Sequence, residues 1–110
     1  MMRKAARARG PSAAAPLPAE QYVLRLYVAG FTLRSRKAIE NITAICEEYL
    51  KGRYDLQVID IFKRPVLARE EQILAAPTLV KKLPVPLRKF IGDLSEKEKV
   101  LVGLDLRRQG

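Results

Sequence analysis

Few side chains in this sequence could do covalent chemistry. The chain has one cysteine, Cys46, and no histidine among its 110 residues. Without histidine it lacks the commonest general base near neutral pH and the commonest metal ligand. A lone thiol cannot close an internal disulfide, and so sparing a use of cysteine is expected of a cytoplasmic protein. Its spacing also points inward. Ala38, Ile39, Ile42, Ile45, Cys46 and Tyr49 recur three and four residues apart, which places them on one stripe of a helix. In such a stripe cysteine acts as a small hydrophobe rather than a nucleophile. The abundant chemistry is charge, with 21 Lys and Arg against 12 Asp and Glu for a net +9. That balance attracts acidic surfaces of proteins, nucleic acids or lipids. Aromatic residues make up only 6%. With no helix-turn-helix, stacking aromatic pair or glycine-clamped loop, nucleic acid is a poor fit. No apolar run approaches the ~18 residues of a membrane span. No cofactor or metal is expected.

The elements that must position these charges are legible in part. Residues 1–20 read as a disordered basic tail, Arg-rich at first and then small and broken by proline. A folded domain is expected over 21–108. Tyr22–Val28 is β-branched, aromatic and apolar, as a central strand with two covered faces should be. Thr32 or Ser35 can cap a helix that runs from Ser35 to Leu50, and Gly52 lies just past it. Tyr54–Phe62 is a second strand, again with both faces covered. Short joints imply a right-handed crossover and parallel pairing. Pro65 can open a short helix carrying Leu67, Glu70, Glu71, Ile73 and Leu74, which Pro77 must end.

After Thr78 the signals compete. Thr78-Leu79-Val80 is strand-like. Pro84 and Pro86 argue for an edge, a turn or a helix start. Ser95 with Glu98 forms a capping box and predicts a helix through Leu104. Val100, Val102, Leu104 and Leu106 nevertheless alternate like a strand, and Gly103 weakens a helix by ~1 kcal/mol relative to alanine.

Strand, helix, strand and then an Ala76-Pro77-Thr78 entry to another strand resembles the start of a thioredoxin-like domain of the α/β class. That fold carries a Cys-x-x-Cys pair between its first strand and helix. Here the turn is Ala29-Gly30-Phe31-Thr32-Leu33-Arg34-Ser35. Without cysteine it cannot exchange dithiols, so the scaffold is expected to bind rather than catalyse. More specific are Leu26-Tyr27-Val28-Ala29-Gly30, Val58-Ile59-Asp60-Ile61, Ile73-Leu74-Ala75-Ala76-Pro77-Thr78-Leu79, Ile91-Gly92-Asp93-Leu94-Ser95 and Glu98-Lys99-Val100-Leu101-Val102-Gly103-Leu104-Asp105-Leu106. In this order they resemble the KaiB family over about residues 22–106.

That resemblance implies a non-enzymatic circadian clock or timing protein. KaiB proteins bind the ATPase ring of KaiC and regulate its phosphorylation state, and in cyanobacteria they sequester KaiA. The resemblance also implies two packings of the second half. One is a tetrameric ground state and the other a thioredoxin-like monomer that binds KaiC. By family position, Arg25, Lys37, Lys81, Arg88 and Lys89 are the expected partner-facing cations. Gln72, Ile73 and Ala75 are expected on the short helix at the interface. Pro77, expected cis, is assigned with Gly103 and Asp105 to the fold switch. Gly103→Ala with Asp105→Arg is expected to raise the helical population. The partners implied are a KaiC-type ATPase, with KaiA or a KaiB-like histidine kinase as others, and a resting homotetramer or dimer. The chain lacks the acidic C-terminal tail of cyanobacterial clock relatives, ending Arg107-Arg108-Gln109-Gly110. An adaptor on a KaiC-like ATPase in stress or signalling would use the same surface.

Overall fold

The computed structural model describes residues 20–106. The expected basic tail, apart from Glu20, and the Arg107–Arg108 end lie outside the described residues. Strand β1 (Tyr22–Val28), helix α1 (Leu33–Tyr49), strand β2 (Tyr54–Asp60), helix α2 (Pro65–Glu70), strands β3 (Thr78–Leu83) and β4 (Arg88–Ile91), and helix α3 (Lys97–Gly103) follow in order. They build one four-stranded sheet in the order β2-β1-β3-β4. β1 pairs parallel with β2 and antiparallel with β3, and β3 pairs antiparallel with β4.

The sheet separates two apolar layers. Tyr22, Leu24, Leu26 and Val28 of β1 join Leu79 of β3 and meet Ala38, Ile42, Ile45 and Cys46 of α1 and Val100 and Leu101 of α3. On the other side Tyr27, Ile59 and Val80 pack with Ala68 of α2, flanked by Leu67 and Ile73. β1 is covered on both sides, as its composition predicts. β2 is not. It lies at the sheet edge, and Val58 stays 41% exposed although Ile59 is buried. An apolar run reports affinity for a core but not where in the sheet a strand sits.

Local signals set the helix ends in three different ways. Thr32 caps α1, its side chain accepting a hydrogen bond from the Ser35 amide at 3.1 Å. Pro65 opens α2, where its missing amide proton is no loss. The predicted Ser95 capping box does not form, because α3 starts later, at Lys97. The Ser95 amide instead donates to Asp93 Oδ1 at 3.1 Å, closing a turn ahead of the helix.

The helix ends correct other expectations. α2 stops at Glu70, so Gln72, Ile73 and Ala75 lie beyond it rather than on it. Gln72 is left-handed (φ 57°), its amide donates to Arg69 O at 3.0 Å, and the Ile73 amide donates to Ala68 O at 2.9 Å. This pairing closes a helix end and turns the chain away from its axis. Leu74, expected on the apolar side, is 95% exposed. α3 ends the same way: Asp105 is left-handed (φ 62°), Asp105 N bonds Val102 O at 3.0 Å, and Leu106 N bonds Leu101 O at 2.8 Å. Gly103 is therefore helical, although its propensity argued the opposite. What glycine supplies there is space, since an added Cβ would overlap the Phe90 ring of β4. The Ala76–Pro77 bond is cis.

Candidate functional site

The expected site residues do not form one patch. Arg25, placed by β1 on the face that α2 covers, reaches Glu71 with Nη1 at 3.3 Å. Lys89 of β4 lies on the same side. Its Nζ donates to Glu71 O at 2.6 Å and Gln72 O at 3.3 Å, placing a cation at the carbonyl end of α2. Gln72, Ile73 and Ala75 follow at once, with Gln72 and Ala75 exposed and Ile73 half-buried against Tyr27, Ile59 and Val80. Arg25, Lys89 and this loop are thus brought together. Arg88 is exposed on β4 and pairs in register with Lys81. Lys37 is exposed on α1, in the opposite layer.

Lys81 corrects the expected set of surface cations. Its side chain is fully buried, and Nζ lies 3.6 Å from Asp105 Oδ2 with no hydrogen-bond partner. β3 is an interior strand, so a lysine on it points into a layer instead of to solvent. Asp105 thus pairs with the sheet just past the end of α3.

Sequence reasoning missed the centre of the cluster, which is Glu71. Its side chain is only 11% exposed. Oε1 accepts from Tyr27 OH at 3.0 Å, and Lys82 Nζ donates to Oε1 and Oε2 at 3.2 and 3.0 Å. Burial by itself would raise the Glu71 carboxyl. Hydrogen bonds from Lys82 and Tyr27, with the charges of Lys82 and Arg25, outweigh it and hold the group below its ordinary value. The signal available in the sequence was alternation. Arg25 and Tyr27 on β1, like Val80 and Lys82 on β3, lie two apart and so share a face.

The turn between β1 and α1 carries apolar side chains where a redox fold would carry cysteines. Phe31 and Leu33 are each 71% exposed, and Phe62 is 73% exposed beside Gly30. Cys46 is buried in α1, and burial pushes its thiol up to about 12, so it stays protonated near neutral pH. Among the described residues no group of three or more His, Cys, Asp or Glu could hold a metal ion. No described helix is long and apolar enough to cross a membrane.

The architecture, with no cysteine in the turn between β1 and α1, is matched by comparison with known proteins. The family model for the KaiB domain matches residues 25–106. The chain belongs to the KaiB family. The circadian clock oscillator protein KaiB of Microcystis aeruginosa is 59% identical over 85 residues, which is 77% of this chain and 82% of that protein. KaiB of Synechococcus elongatus is 54% identical over 89 residues, 81% of this chain and 87% of that protein. Among solved structures, the N-terminal domain of Synechococcus elongatus SasA superposes with a TM-score of 0.66 at 22% identity, covering 92% of this chain and 99% of that one. Oxidised mitochondrial thioredoxin 3 of Saccharomyces cerevisiae gives 0.64 at 19% identity, over 79% and 80% of the two chains. The KaiB fold described here is therefore thioredoxin-like.

Proposed function

We propose that this KaiB chain is a clock or timing protein without catalysis of its own, one that binds the ATPase ring of a KaiC-type partner and regulates its phosphorylation state. The carrying observation is the family match across nearly the whole described domain, on a redox scaffold with no cysteine at its reactive turn. The surface for binding is the side with Arg25, Lys89 and the Gln72–Ala75 loop, with Arg88 at the edge beside it. KaiA or a KaiB-like histidine kinase is a further partner, the compartment is the cytoplasm, and a homotetramer or dimer is the resting form. The packing described here is the binding-competent one, and Pro77, Gly103 and Asp105 lie in the segment that would rearrange to reach it.

The test is size exclusion with light scattering, on the chain alone and with a KaiC-type ATPase and ATP, sampled for hours while ring phosphorylation is followed. Slow growth of a large complex, with loss of free tetramer and altered phosphorylation, is the expected result. Immediate assembly would mean that the resting chain already has the thioredoxin-like packing. Absence of any complex would overturn the proposal.

A further inference from the structure

Glu71 ties the end of α2 to three strands at once, to two through its carboxylate and to the third through its backbone carbonyl. Its side chain holds Arg25 and Tyr27 of β1 and Lys82 of β3, while its carbonyl accepts from Lys89 of β4. The next residues leave the protein surface under tight control. The Ile73 amide is bonded to Ala68 O, and the Ile73 side chain packs in the α2 layer. At the other end Thr78 Oγ1 donates to Ala75 O at 2.6 Å, and Pro77 and Thr78 are buried. Between these two anchors stands Leu74, 95% exposed. A large aliphatic side chain held clear of the surface by a loop fixed at both ends is pre-organised to enter a partner's apolar socket.

We infer that Glu71 is the positioning residue for partner binding, and that it holds the Gln72–Ala75 loop so that Leu74 is presented as an apolar anchor beside the cation cluster at the end of α2. The partner surface it fits has an apolar socket with an acidic rim, the rim answering Arg25, Lys82 and Lys89. Without the carboxylate, Arg25 and Lys82 lose their shared counterion and repel one another, and the turn after α2 loosens. The inference rests on the proposed binding to a KaiC-type ring through this face.

The test uses the full chain as wild type, Glu71→Gln, Lys82→Met and Leu74→Ala. Two quantities are read: hydrogen exchange at the Ile73 amide in the thioredoxin-like monomer fraction, and affinity for the KaiC-type ATPase in ATP. Glu71→Gln is expected to speed that exchange and weaken binding, each about tenfold. Lys82→Met should move both in the same direction by less. Leu74→Ala should weaken binding by a similar factor and leave exchange unchanged, because it removes the anchor and not its support. Unaltered binding in Leu74→Ala would overturn the inference, as would unaltered exchange or unaltered binding in folded Glu71→Gln. If the wild-type chain does not bind the ring, the proposed function fails by itself, and the exchange arm still decides whether Glu71 holds the loop.

Discussion

At the scale of single residues, two buried charges behave differently. Glu71 is surrounded by donors, whereas Lys81 has one carboxylate at 3.6 Å and no hydrogen bond. A buried cation so poorly served contributes little, and an apolar side chain of similar volume often does as well or better. Lys81→Met is therefore expected to keep the melting temperature level or raise it in thermal unfolding, and to leave ring binding unchanged. Glu71→Gln should cost about 1.5–3 kcal/mol at neutral pH, the range for hydrogen bonds to a charged group. The sign with pH follows from the lowered Glu71 carboxyl. Its contribution is complete above the unfolded carboxyl's value near 4.3 and is lost as pH falls through the lower folded value. Denaturant titrations of both proteins should thus diverge at neutral pH and converge on acidification below about pH 4.

At the scale of elements, α3 shows how a neighbouring strand can override propensity. Gly103 is a poor helix former, yet it closes α3, and an added Cβ there would press on the Phe90 ring. Replacing it with alanine gains helix propensity but forces the ring aside. Gly103→Ala is expected to destabilise this packing by roughly 1–3 kcal/mol, the usual cost of overfilling, and by much less in a Phe90→Val background. A double-mutant cycle by denaturant unfolding measures the coupling. Phe90 is thus a reason for alanine at 103 to disfavour the helical packing, opposite to the expectation from propensity alone. The other elements were legible to different degrees. β1 and α1 stood out because their apolar periods are long and their burial is ordinary. The true end of α2 was hidden, because Gln72 in a left-handed turn carries no glycine to announce it. The second half was ambiguous since β3, β4 and α3 are short, and β3 and α3 take much of their order from β1 and α1, far away in the chain.

At the scale of the whole molecule, charge decides encounter more than stability. Exposed cations such as Lys37 and Arg88 contribute about 0–1 kcal/mol each to folding. Collectively they would steer the acidic partner surface proposed above, an effect that salt screens within a Debye length of ~10 Å at 0.1 M. Added salt is expected to slow association with a KaiC-type ring and to change dissociation far less, as stopped-flow or surface-based kinetics would show. The sequence by itself determined the α/β class, the thioredoxin-like order of the first half, the absence of dithiol chemistry, the buried role of Cys46 and the KaiB resemblance. These rest on residue type and local period, which neighbours in sequence already specify. Only the tertiary structure decided that Lys81 is buried while Leu74 is exposed, that Glu71 gathers cations from separate strands, and that Gly103 makes room for Phe90. Each depends on which strands lie side by side, and that is settled by packing between residues distant in the chain.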